Sequence, residues 1–86
     1  MRYLAAELGP HRIRVHAVSP GPLATRAASG IPDFDALMHR VEQRAPARRL
    51  VTTEEVGAAC VFLASDYAGA MTGETVYIDG GYHILG

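Results

Sequence analysis

The sequence predicts an α/β fold in which two parallel strands are flanked by helices, and three observations carry that reading. Residues 13–18 form an apolar run that becomes continuous towards its end, as a parallel strand buried on both faces does. Residues 75–78 form a second short β-rich run, Thr-Val-Tyr-Ile. Between them lie two stretches of helical periodicity, so the strands are joined by a helical crossover, the connection that parallel neighbours require.

Met1 to Leu8 reads as a helix end, with Leu4, Ala5 and Leu8 on one face. Gly9-Pro10 is expected to stop it, the glycine taking a left-handed cap and the proline refusing to continue. The strand over 13–18 is expected to end at Ser19-Pro20-Gly21-Pro22, because proline lacks the ladder donor. Small, loop-like residues follow from Leu23 to Ile31. Helical spacing resumes over 33–44, with Phe34, Leu37, Met38 and Val41 at i, i+3, i+4 and i+7. Pro32 suits its first turn, and Ala45-Pro46 ends it. Thr52 and Glu55 form a capping box that opens the next helix. Val56, Ala59, Cys60 and Leu63 make its apolar face, widened by Val61, Phe62 and Ala64 into a helix packed on more than one side. Met71-Thr72-Gly73-Glu74 reads as a turn, and Asp79-Gly80-Gly81 closes the second strand.

Composition narrows the function. The 86 residues carry a net charge of −1 with no basic cluster beyond Arg48-Arg49, which argues against nucleic acid as a partner. No apolar run approaches the ~20 residues of a membrane span, and the first residues do not read as a signal peptide. One cysteine, Cys60, permits no internal disulfide and suits a reducing compartment, with the cytoplasm as the default. His11, His16, His39 and His83 share no metal-ligand spacing, so no metal site is expected. All eight basic residues are arginine; the chain has no lysine. A lone domain of this length buries only roughly 60% of its unfolded surface. Two strands make a poor sheet, and the apolar content exceeds what these elements can enclose.

The chemistry is expected at the strand end carrying Ser19-Pro20-Gly21-Pro22-Leu23-Ala24-Thr25. Open α/β sheets bind ligands at the carboxyl edge, where glycine admits close approach and a threonine hydroxyl can serve a phosphate or an amide. An ordinary strand-to-helix loop is the competing reading.

Family resemblance adds to this. Arg2-Tyr3-Leu4-Ala5-Ala6-Glu7-Leu8-Gly9, Ile13-Arg14-Val15-His16-Ala17-Val18-Ser19-Pro20-Gly21 and the ending Thr72-Gly73-Glu74…Ile78-Asp79-Gly80-Gly81 resemble the second half of short-chain dehydrogenases/reductases. Gly21-Pro22-Leu23-Ala24-Thr25-Arg26-Ala27-Ala28-Ser29-Gly30-Ile31 with Asp33-Phe34 resembles the enoyl-[acyl-carrier-protein] reductase branch. So do Ala45-Pro46…Arg49, Thr52…Glu55-Val56-Gly57 and Gly80-Gly81-Tyr82-His83; Pro20 departs from the small residue of many members. The resemblance implies the C-terminal portion of a Rossmann-like doubly wound parallel sheet, with residues 1–86 one segment of a single domain and a substrate-binding loop at about 23–45. It implies NADH as cofactor, an acyl-carrier-protein thioester as substrate and a homotetramer for the full-length enzyme. Gly21, Pro22, Leu23, Ala24, Thr25, Arg26 and Ala27 would line the cofactor, the Leu23 backbone bonding the carboxamide and Thr25 meeting the pyrophosphate. Ala27, Ala28, Ile31 and Phe34 would cover the acyl chain, although Phe34 also reads as a helix-core residue.

The resemblance equally implies a glycine-rich dinucleotide fingerprint and a tyrosine followed six residues on by a lysine, and no position here matches either. No catalytic residue is therefore expected within the 86. Two further readings stand beside the enoyl reductase: a segment of another short-chain reductase, such as a 3-oxoacyl reductase, and a non-catalytic chain.

Overall fold

The computed structural model describes residues 1–21 and 33–85. Among these residues three α-helices and two strands form the frame: α1 (Arg2–Leu8), β1 (Ala17–Pro20), α2 (Phe34–Arg44), α3 (Thr53–Ala64) and β2 (Thr75–Ile78). The strands pair in parallel with Ala17 opposite Thr75 and Pro20 opposite Ile78, the crossover topology expected.

Two expectations about the first third are corrected. Gly9 is right-handed, at φ −53°, and continues into a 3-10 turn over Gly9–His11; Arg12 takes the left-handed conformation instead, at φ 61°. Pro10 sits at the start of that turn, where no backbone donor is needed, so the chain tightens before it stops. β1 also begins and ends later than the apolar run suggests. The Val15 amide donates to Thr72 Oγ1 at 3.0 Å and its carbonyl accepts from the Gly73 amide at 2.8 Å. Those bonds tie residue 15 to the turn at Gly73 (φ 76°), and regular pairing starts only beyond it.

Pro20 lies inside β1 because of ladder parity. The Ala17 and Gly21 amides donate towards β2, to Glu74 O and Ile78 O, each at 3.0 Å. Parallel strands alternate the direction of their amides, so position 20 faces away from β2 and its missing N–H costs this ladder nothing.

Arg14 joins the strand segment to the crossover. Its Nη1 donates to the Leu63 and Ala68 carbonyls at 2.7 and 3.0 Å, and its Nη2 to Ser65 O at 3.2 Å. These oxygens surround the end of α3 and the 3-10 turn Asp66–Ala68, where helical carbonyls lack partners and a cation is favoured.

At its other end α3 carries the expected capping box. Thr52 Oγ1 accepts from the Glu55 amide at 3.1 Å, and Glu55 Oε1 accepts from the Thr52 amide at 3.0 Å. Both Arg49 guanidinium nitrogens also reach the Glu55 carboxylate at 2.7 Å. Hydrogen bonding from Arg49, then from the Thr52 amide, holds that carboxyl down at about 2.

The buried apolar residues are Ala5, Phe34, Met38, Val41, Ala45, Val51, Leu63 and Ala68, and no charged side chain joins them among the described residues. α2 buries the predicted face except Leu37, which is exposed. α3 departs further: of its wide apolar surface only Leu63 is buried, while Val61 is 71% exposed and Phe62 is exposed with Cys60. The total accessible surface, 6321 Å², exceeds the roughly 4,900 Å² of a compact protein of this mass. The radius of gyration, 15.4 Å, likewise exceeds the roughly 12 Å of a compact domain of this length. The apolar faces are made, but the described residues do not cover them.

Replacing Arg14 by methionine keeps the stem but leaves Leu63 O without its donor and takes a second donor from Ser65 O and Ala68 O, which keep the Ala68 and Met71 amides, so stability in chemical denaturation should fall by about 2 kcal/mol. A loss under about 0.5 kcal/mol would mean that water serves those oxygens equally well. For Glu55 the sign follows from a folded pKa of about 2 against an ordinary 4.5. The carboxylate favours the folded state above pH 4.5 and loses that effect as pH falls through 2. Thermal melts of Glu55→Gln should therefore lie below the unsubstituted protein at pH 6 and converge with it near pH 2. Salt should narrow the gap, because both partners are solvent-exposed.

Candidate functional site

Parallel pairing brings the exits of both strands to one edge, with Gly21 leaving β1 beside Asp79-Gly80-Gly81 leaving β2. The Gly21 amide extends the ladder one residue by donating to Ile78 O. A side chain at Gly21 would place its Cβ 3.0 Å from Asp79 Cβ and 3.1 Å from Asp79 Cα. The close approach that requires glycine here is therefore made by the neighbouring strand exit.

Gly80 and Gly81 both take positive φ, 65° and 89°. The Gly80 carbonyl accepts from the Ala47 amide at 2.9 Å, and a Cβ on Gly81 would fall 3.0 Å from Pro46 Cγ. The segment after α2 thus packs directly on the exit of β2. Pro46 also explains how α2 ends: the preceding Ala45, fully buried, is extended at ψ 135°, as a residue before proline must be.

Asp79 organises this edge. Its side chain is only 8% exposed; Oδ1 accepts from the Gly81 amide at 3.0 Å and Oδ2 from the His83 amide at 2.9 Å. The same carboxylate meets His83 Nδ1 at 3.0 Å, and the His83 ring stacks on Tyr77 with centroids 3.9 Å apart. Burial pushes the Asp79 carboxyl up, but bonds from the His83 ring and from the His83 and Gly81 amides outweigh it and hold the group below its ordinary value.

Of the residues expected to bind cofactor or substrate, Gly21 stands on this edge, and Phe34 is the first residue of α2. Phe34 is 8% exposed, on the same face as Met38 and Val41. Pro22, Leu23, Ala24, Thr25, Arg26, Ala27, Ala28 and Ile31 lie outside the described residues. Asp79 and His83 were missed as a pair by sequence reasoning, which treated one as a strand terminator and the other as a scattered histidine. Their four-residue spacing was the available signal.

A cavity of about 400 Å³ opens at the amino end of the sheet, lined by Gly9, Arg12–Arg14, Gly69, Ala70 and Thr72. Two of its polar side chains are already engaged: Arg14 holds carbonyls and Thr72 holds the Val15 amide. No group of three metal-ligating side chains occurs among the described residues. No helix among them is long and apolar enough to cross a membrane.

Residues 1–83 match the family model described as enoyl-(acyl carrier protein) reductase. The enoyl-[acyl-carrier-protein] reductase [NADH] of Bacillus cereus is 52% identical over 86 residues, covering 100% of this chain and 34% of that protein. A crystal structure of the Bacillus cereus enzyme with NADP+ and indole naphthyridinone superposes with a TM-score of 0.92 at 53% identity, over 99% of this chain and 33% of the other. The Anaplasma phagocytophilum enzyme in complex with NAD gives 0.88 at 46% identity, over 99% and 32%. The chain spans about a third of the length of the relatives it matches. Both the two-stranded parallel architecture and the branch resemblance agree with these relatives, and the chain belongs to the enoyl-(acyl carrier protein) reductase family.

Proposed function

We propose that these 86 residues are the C-terminal third of an NADH-dependent enoyl-[acyl-carrier-protein] reductase of fatty-acid biosynthesis. The complete enzyme reduces the trans-2 double bond of acyl thioesters on carrier protein, as a homotetramer in the cytoplasm. The observation that carries this reading is the shared edge of β1 and β2. It presents Gly21 at the carboxyl end of a parallel sheet, in a chain 52% identical to a reductase of that name.

The described residues fit a dinucleotide as one wall of its site. Gly21 has no side chain to intrude, and its backbone is held against Asp79. Bound nicotinamide supplies the hydride. The Leu23 backbone orients the carboxamide, Thr25 serves the pyrophosphate, and Gly21, Pro22, Ala24, Arg26 and Ala27 exclude water along the cofactor. Ala27, Ala28, Ile31 and Phe34 enclose the acyl chain. Phe34 does so from the first turn of α2, whose burial with Met38 and Val41 fixes the base of that cover. With no lysine in the 86 residues, the Tyr–Lys pair that manages the proton belongs elsewhere in the longer polypeptide.

A full-length polypeptide carrying these residues as its C-terminal third should oxidise NADH with crotonyl thioester and not with acetoacetyl thioester. Oxidation with the keto substrate alone would replace this reading with a 3-oxoacyl reductase. In that polypeptide, Thr25→Val should weaken NADH binding by about tenfold, the loss of one hydrogen bond of about 1.4 kcal/mol. The isolated 86-residue chain should neither bind nor oxidise NADH. Circular dichroism with cofactor titration checks this, and saturable micromolar binding would contradict it.

A further inference from the structure

We infer that Asp79 is a positioning residue for the cofactor edge, acting through its contact with Gly21. The inference rests on the reading of Gly21 as part of the cofactor wall and adds a residue that the family resemblance did not assign.

The geometry is a chain of direct contacts. Asp79 follows β2 immediately, and its Cα and Cβ occupy the space where a side chain on Gly21 would project, at 3.1 and 3.0 Å from that Cβ position. Any shift of Asp79 is therefore transmitted to the backbone at the start of the cofactor-facing segment. Asp79 is in turn held on its far side. Its carboxylate accepts from the Gly81 and His83 amides and meets the His83 ring, which is stacked on Tyr77 of β2. Gly81 lies against Pro46, and Gly80 O is bonded to Ala47, so the same turn is braced by the segment leaving α2. Asp79 links the end of the sheet, that segment and Gly21 in one rigid joint.

A carboxylate is needed because both oxygens accept. In Asp79→Asn one oxygen still serves an amide, but the NH2 group faces a second donor, at His83 N or Gly81 N. The turn must open to relieve that clash, and Gly21 loses its backing.

The test uses the full-length polypeptide with NADH and crotonyl thioester. Asp79→Asn should raise the KM for NADH, and its Kd by fluorescence titration, at least about fivefold, with kcat and the thioester KM within about twofold. Gly21→Ala should raise the same KM by inserting a methyl into the same contact. If Asp79 acts through Gly21, the double variant should fall short of the product of the single effects by about threefold or more. Should Asp79→Asn fail to fold, His83→Phe keeps the stack and both amide bonds while removing the ring contact. A rise in NADH KM of about twofold with kcat unchanged is then expected. An unchanged NADH KM in a folded Asp79→Asn or His83→Phe protein, or multiplicative effects in the double variant, would overturn the inference. Absence of NADH binding by the unsubstituted enzyme would instead overturn the functional reading, and this inference with it.

Discussion

The guanidinium of Arg14 holds three carbonyls at the point where α3 ends and the chain turns back towards β2. A helix end concentrates unpaired acceptors and partial negative charge, and here one cation from the residues leading into β1 meets both. The bonds span about fifty residues of sequence, so they fix the closure of the whole crossover. Once Arg14 is placed, Val15 reaches the Thr72-Gly73 turn, Ala17 finds Glu74, and the four-residue ladder follows in register. Everything at the opposite edge depends on that register, since a slip would carry Gly21 away from Asp79.

The two ends of the sheet differ in how their contacts are made. At the amino end the Arg14 side chain donates to three backbone carbonyls, with the Val15 backbone bonded to Thr72 and Gly73 beside it, while at the carboxyl end backbone amides donate to the Asp79 carboxylate. Asp79 gathers amides from its own turn, and glycines at 21, 80 and 81 let three backbone segments approach within contact distance. Such an edge is stiff without large residues. A dinucleotide wall needs that property, because loss of position at one residue propagates along the bound cofactor.

Much of this was legible in the sequence, for identifiable reasons. Thr52 and Glu55 announced α3 because a capping box is local chemistry, and Ala45-Pro46 announced the end of α2 because the proline ring acts on its immediate neighbour. The parallel pairing followed from two apolar runs separated by helical periodicity. Gly9 misled because the cap rule is statistical, and Pro10 allowed a 3-10 turn that moved the left-handed residue to Arg12. The limits of β1 were unreadable because ladder parity depends on which side the partner lies. The face of α3 was legible as apolar, yet the described residues leave Val61 and Phe62 exposed, because periodicity names a face without naming what packs on it. Of the candidate site, Gly21 could be named from its motif, while Asp79 and His83 acquire meaning only when β2 ends beside β1.

Pro20 carries a consequence that reaches beyond pairing with β2. Amides at positions 17, 19 and 21 point inward, which leaves Val18 as the only residue of β1 able to donate on the outer side. Any strand that pairs on that side therefore finds the last rung removed. Proline on an outer edge is one of the devices that discourage edge-to-edge aggregation. In this chain the device sits one residue before the segment proposed to face the cofactor, so protection against misassembly and the start of the binding loop share a single turn of backbone.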